Sequence, residues 1–274
     1  MAATVASSAP ARRWGRSVER PSESGRVLRL LLPALAFATF IGIWEAYVAL
    51  KDISVLLLPS PHAIVKEFFT NFSQLWELSK NTFLQAMAGL LFATALSVVV
   101  AALFYPFPRV AKALENYSAI AKALPTVAIY PICTVFFGIG TMAVVAIITI
   151  GIFPIMFLYV IRGFSGTGEH DALMTSLSAG RMHRLTDLVL PRSLSYLMAG
   201  LRAGAPTAII ITIVAQYFGG RVSTLGAFIR RESGNLHTLA MWGAVLAACL
   251  LGLVVFAAVS LLDRRFSQWR QGSD

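Results

Sequence analysis

Thirty-nine consecutive residues, Ala123 to Ile161, contain no Asp, Glu, Lys or Arg. About 20 apolar residues carry a helix across a bilayer, so this run is too long for one crossing and suits two. Two further charge-free runs, Asn81 to Pro108 (28 residues) and Ser233 to Leu262 (30 residues), are each long enough for one. Charged residues make up only 13% of the 274-residue chain, against about 25% in soluble domains. So few charges cannot wet the surface of a core this large, and the solvent for most of the chain is lipid. In lipid every backbone polar group must find an internal partner. The expected class is therefore an all-α integral membrane protein.

Six transmembrane helices are expected. The first covers about Val27 to Ala49, with Trp44 and Tyr47 where an interfacial aromatic belt falls and Glu45 near its outer end. Pro59 and Pro61 then break the chain, and His62 to Lys80, with Phe68, Phe69, Phe72 and Trp76, suits a helix lying in the interface plane. The second span is placed at about Thr82 to Phe104, where Gly89 allows close helix contact. The Gly138 to Thr141 sequence divides the long run into a third span, Tyr117 to Phe137, and a fourth, Met142 to Ile161, with Pro125, Pro131 and Pro154 inside them. The fifth is Tyr196 to Phe218. Gly219 to His237 reads as a polar outer loop, and Thr238 to Leu262 as the sixth span. The expected division is a disordered basic tail (1–25), a membrane domain (26–265) and a second tail (266–274).

This topology sorts the positive charge. The two tails with the adjoining span ends (Arg26, Arg29, Arg264 and Arg265), the stretch after the second span (Arg109, Lys112 and Lys122) and the 162–202 stretch hold 17 of the 23 basic residues, and the other side holds 6. Such an excess marks the cytoplasmic side, so both termini are expected there, in the plasma membrane or inner membrane of a bacterial cell. The apolar run starts too late and is too long for a cleaved signal peptide. The net charge of +10 is thus topological, and no nucleic-acid partner is expected.

Catalytic patterns are missing. The chain has no G-x-x-x-x-G-K-[ST] phosphate loop, no H-E-x-x-H and no G-x-S-x-G. His62, His170, His183 and His237 are scattered, and Cys133 and Cys249 sit in apolar runs as packing residues. Neither a metal nor a cofactor is expected. Nor does any apolar block carry the Asp/Glu/His chain of a proton-coupled carrier. Uphill transport would therefore need energy from another chain; an ATPase-independent carrier or channel is the alternative.

The place for such a partner is Gly168 to Pro191, the longest polar stretch between apolar blocks. Glu169 and Asp171 open it, Arg181 and Arg184 follow, and Leu190 and Pro191 close it. Acid first and base last suits a helix dipole, and Leu173, Leu177 and Gly180 recur at helical spacing. A short helix outside the bilayer, docking into a partner protein, is expected.

Three segments carry a family resemblance: 56–69 (LLLPSPHAIVKEFF), 123–140 (ALPTVAIYPICTVFFGIG) and 188–204 (LVLPRSLSYLMAGLRAG). From about Leu31 to Arg265 the chain resembles ABC importer transmembrane permeases of the nitrate/sulfonate/taurine type. The resemblance implies a type I permease fold and no enzyme activity of the chain's own. It implies a dimer with the same or a related permease, two cytoplasmic ABC ATPase subunits and an extracytoplasmic substrate-binding protein. The cargo implied is a small organic or inorganic anion or a vitamin precursor. It also makes 168–191 the coupling segment, whose family pattern is E-A-A, three residues, G, then a hydrophobic stretch ending in L-P. Leu190 and Pro191 align with the closing pair. The triplet then falls on Ala172, Leu173 and Met174, and the glycine on Ser178, with Ala179 and Gly180 just beyond. Leu173, Met174 and Leu177 would supply the buried knob, and Arg181 and Arg184 its rim.

Overall fold

In a computed structural model that describes residues 23–165 and 190–271, every regular element is helical. The order is α1 (Glu23–Leu50), α2 (Pro61–Thr70), α3 (Phe72–Phe104), α4 (Pro108–Ala121), a 3-10 turn (Thr126–Ile129), α5 (Tyr130–Phe137), α6 (Thr141–Ser165), α7 (Leu190–Gly219), α8 (Leu225–Gly234) and α9 (Thr238–Gln271). Among the described residues five helices, α1, α3, α6, α7 and α9, are long and apolar enough to cross a membrane. A sixth crossing exists only if α4 and the 126–137 segment count together, and these two are bent 93° to one another.

The expected third span, Tyr117 to Phe137, with its prolines inside, is two helices with a break between them. Two other expectations change. The helix expected over His62 to Lys80 is confined to α2 and ends at Asn71; Phe72 and Trp76, stacked at 6.3 Å, already belong to the long α3. The polar outer loop at 219–237 contains α8, whose Leu225, Gly226, Ala227, Phe228 and Glu232 are buried.

α6 is the central helix. Over its apolar window 56% of residues are buried, against 6% for α1. Its Ile147, Ile148, Ile152 and Met156 pack with Ala86, Leu90 and Ala93 of α3 and Ala205, Ala208 and Ile209 of α7. Lipid tails are as apolar as these side chains, so helices associate here by close packing rather than by escape from water. Small residues make the approach possible. A Cβ on Gly89 would fall 2.5 Å from Ile148, and one on Gly204 would fall 3.3 Å from the Met156 sulfur. α1 stands apart, touching the bundle near its end, where Trp44 meets Trp242 edge-on at 5.5 Å and the Glu45 carboxylate bonds the His62 ring and backbone N–H.

Candidate solute pathway

Two prolines make the break between α4 and α5. Pro125 disfavours helical geometry at Leu124, and the chain tightens before it: Ala123 and Leu124 donate to the carbonyls of Ile120 and Ala121 at 2.9 and 3.1 Å. Pro131 sits in the first turn of α5, where its missing N–H is not needed. Gly138 (φ +72°) and Gly140 (φ +135°) then turn the chain into α6, with backbone angles that side-chain-bearing residues rarely adopt.

The 3-10 turn lies between two clefts. One, of about 530 Å³, is lined by Val127, Ala128, Tyr130, Pro131, Thr134, Ile139, Phe218 and Gly219. The other, of about 280 Å³, is lined by Leu96, Ala121, Leu124, Thr126, Ile129, Thr149, Ile150, Phe153 and Pro154. A Cβ on Gly151 would lie 2.6 Å from the Thr126 methyl, which fixes the break at the level of the middle of α6. Lys122 caps α4 at this break and is exposed. The sequence placed it on the inside with Arg109 and Lys112. Along α4, Lys122 lies ten residues, about 15 Å, beyond Lys112. Its backbone N–H donates to the Ser118 carbonyl at 3.2 Å, and among the described residues its ammonium group has no hydrogen-bond or ion-pair partner.

Tyr130 is only 4% exposed. Its hydroxyl has no hydrogen-bond partner and lies so close to Gly219 that a Cβ there would be 2.5 Å away. Toward the same end of the bundle, four polar side chains form a latch. Thr82 donates to Gln216 Oε1 at 3.0 Å, Gln216 Nε2 donates to Gln85 Oε1 at 3.0 Å, and Gln85 Nε2 reaches Thr141 Oγ1 at 3.5 Å. Thr82 Oγ1 and Gln216 Oε1 also accept the first two N–H groups of α8, from Leu225 and Gly226. These donors have no partner inside a helix, so α8 is held by side chains of α3 and α7. At the opposite end, Glu115 of α4 pairs with Lys112 and with Arg162 of α6, and Arg202 of α7 pairs with Asp263 of α9 at 3.6 Å.

Most of the residues expected to meet an ATPase, Glu169, Asp171, Ala172, Leu173, Met174, Leu177, Ser178, Ala179, Gly180 and Arg181, lie outside the described residues. Leu190 and Pro191 begin α7. Pro is tolerated in a first turn, so the expected end of that segment coincides with a helix start. The residues that sequence reasoning missed, Gln85, Gln216 and Tyr130, shared one available signal: each is a polar group within an apolar run.

Residues 93–268 match the family model described as binding-protein-dependent transport system inner membrane component. The chain belongs to this family. It is a permease component of an ABC importer, a transport subunit and not an enzyme, and an inner-membrane component. Its curated relatives include the formylaminopyrimidine transport permease protein ThiX of Halalkalibacterium halodurans, 26% identical over 249 residues (90% of this chain, 98% of the relative). The taurine transport system permease protein TauC of Escherichia coli is 22% identical over 240 residues (85% and 87%). Among solved structures, an inward-facing form of the MetNI methionine ABC transporter has a chain that superimposes with a TM-score of 0.57 at 17% identity, covering 69% of this chain and 96% of that one. At that identity the likeness speaks for the fold, the type I permease fold.

Proposed function

We propose that this permease, paired with a second copy or a related permease, encloses a solute path along the broken span. Two cytoplasmic ABC ATPase subunits drive it through 168–191, an extracytoplasmic binding protein delivers the cargo, and both termini are cytoplasmic. The path belongs to the membrane domain 26–265, and residues 1–25 and 266–274 are tails outside it. The cargo is a small organic or inorganic anion, such as nitrate, a sulfonate or taurine, or a vitamin precursor. The names of ThiX and TauC are in keeping with that range.

One observation carries the reading. Between α3 and α6 the apolar chain is broken by a 93° bend, with a cleft on either side of the turn. Irregular backbone at membrane depth is tolerated where it is buried in protein or lines a water-filled cavity, and open clefts favour the second. Repacking around such a break can expose first one cleft and then the other, which is rigid-body rocking driven from outside the bilayer.

Leu177→Asp tests the coupling half of the reading. A charge in the buried knob removes an apolar anchor worth roughly 2 kcal/mol or more. ATP-driven uptake is expected to fall to background while the chain stays membrane-inserted at normal amount. Co-purification of the ATPase with that variant at wild-type yield and activity would count against the docking model, as would labelling that placed 168–191 on the external face.

A further inference from the structure

We infer that the groove between α3 and α9 holds one acyl chain of a phospholipid with a primary-ammonium headgroup, and that the Glu77–Lys80 pair at its edge engages that headgroup. The site goes beyond the transport reading: nothing in it depends on which solute is carried or on how 168–191 couples.

Three observations carry it. First, shape: the groove, of about 490 Å³, is walled by Phe72, Trp76 and Phe83 of α3 and Leu250 and Val254 of α9, with Phe68 of α2 beside them. Leu75 and Ala247, which also line it, pack with Leu78 and Ala244, so the two helices touch behind the groove and part in front of it, where Trp76 and Val254 are exposed. Left empty, the groove would forfeit dispersion contacts along its walls. Small residues let a second helix approach closely; these large side chains do not, whereas a hydrocarbon chain conforms to them. Second, level: the charge-free part of α3, 81–104, measures about 36 Å at the helical rise, enough to cross the hydrocarbon by itself. Lys80 and Glu77 therefore fall at the headgroup edge, beside Phe72 and Trp76, which stack at 6.3 Å as an interfacial aromatic pair. Third, charge: the Lys80 stem lines the groove, and its ammonium lies 2.8 Å from the Glu77 carboxylate, both half-exposed. A phosphate beside Lys80 brings the headgroup ammonium within reach of Glu77, so one zwitterionic headgroup answers both charges. The anionic headgroup of phosphatidylglycerol has no cation for Glu77, and the methylated ammonium of phosphatidylcholine has no N–H to donate.

The test counts lipid. The full chain, purified with its partner subunits, is exchanged into detergent holding equal amounts of phosphatidylethanolamine, phosphatidylcholine and phosphatidylglycerol with identical acyl chains. Native mass measurement then gives the lipid retained per permease chain. One phosphatidylethanolamine is expected, favoured about tenfold over either competitor, the equivalent of one charge-assisted hydrogen bond. Leu250→Trp and Val254→Trp, two independent ways of filling the groove, should lose it. Glu77→Gln should erase the preference over phosphatidylcholine, Lys80→Gln should weaken retention of all three, and Lys80→Arg should keep it. In nanodiscs, where no lipid is stripped away, phosphatidylethanolamine brominated on its acyl chains should quench the emission that Trp76→Phe removes, and brominated phosphatidylcholine should quench it less.

Equal retention of the three lipids would leave only the ordinary boundary layer and overturn the proposal. Retention of phosphatidylethanolamine by both tryptophan variants would do the same by placing the lipid elsewhere. An unchanged order of preference in Glu77→Gln would remove the headgroup contact. Separation of the paired permeases by either tryptophan variant would make the occupant a second copy of this chain, and the lipid reading would fall.

Discussion

Thr82 and Gln216, 134 residues apart in sequence, share a buried hydrogen bond of 3.0 Å, and each also accepts an N–H from the first turn of α8. One side-chain pair thus joins α3 to α7 and caps a third helix. Removing one partner of a buried polar set leaves the others unsatisfied, at about 1–3 kcal/mol each. Gln216→Leu orphans Thr82, Gln85 and the Gly226 N–H together. It is expected to destabilise the chain by about 3 kcal/mol or more, whereas Thr82→Val combined with Gln216→Leu should cost much less than the sum of the two single changes. Thermal unfolding in detergent, read as a double-mutant cycle, checks this; additive costs would mean that the side chains do not act as a unit.

Gly226 is the residue that lets α8 reach this latch. A Cβ there would lie 2.3 Å from the Ile213 carbonyl and 2.8 Å from the Tyr217 nitrogen, backbone atoms that cannot rotate away. Overpacking of this kind costs about 1–3 kcal/mol even where side chains can yield, so Gly226→Ala should lie at the top of that range. Gly252, in the middle of α9, has open space around it: a Cβ there would meet nothing within 4 Å. Gly252→Ala should therefore be neutral, or stabilise by up to about 1 kcal/mol through helix propensity. The same unfolding measurement separates the two, and equal effects would remove the close approach as the cause.

Glu232 makes the fold of α8 sensitive to acid. Its carboxylate accepts from Arg231 Nε and is paired with the His237 ring, each at 2.8 Å. Burial pushes the carboxyl up, but the hydrogen bonds from His237 and Arg231 and their charges outweigh it, and the net value lies below the ordinary 4.5. A carboxylate depressed in the folded state contributes stability that is present above the ordinary value and is lost as pH falls through the folded value. The protection of backbone amides in 225–237 against hydrogen exchange, relative to their intrinsic rates at each pH, is therefore expected to fall below pH 4.5, and Glu232→Gln should flatten that acid limb. An unchanged limb would show that another group sets it.

The spans were legible because charge is expensive in lipid. Runs without Asp, Glu, Lys or Arg located α3, α6 and α9, although α3 starts nine residues before its run and α9 ends nine residues beyond its own, and Gly138 to Thr141 marked the turn before α6. Features that depend on direction in space were not legible. Pro125 and Pro131 showed that something bends, but whether a proline kinks a helix or ends it depends on what packs beside it, and only the cleft-lined turn decides that. α8 was hidden by Arg230, Arg231 and Glu232, whose polarity outweighs a buried face of four consecutive residues, Leu225 to Phe228, that has no helical period. Gln85 and Gln216 passed unnoticed because attention to ionisable groups overlooks neutral ones, although an amide in lipid needs partners as surely as a charge does.

Tyr130 offers the last test, because its hydroxyl is an anomaly of stability. A buried hydroxyl without a partner carries a desolvation cost of about 1–3 kcal/mol, and the Tyr130 oxygen is packed close against Gly219. Tyr130→Phe keeps the ring among Cys133, Ala143 and Val144 and removes only the oxygen. It is expected to raise the unfolding temperature of the chain in its resting form, by a few degrees for about 1 kcal/mol. Were the hydroxyl paired in the state that moves solute, the same substitution would slow ATP-driven uptake while stabilising the resting form, since only one of the two states would lose a bond. A variant both less stable and fully active would show that the hydroxyl already has a partner at rest and none is needed during transport.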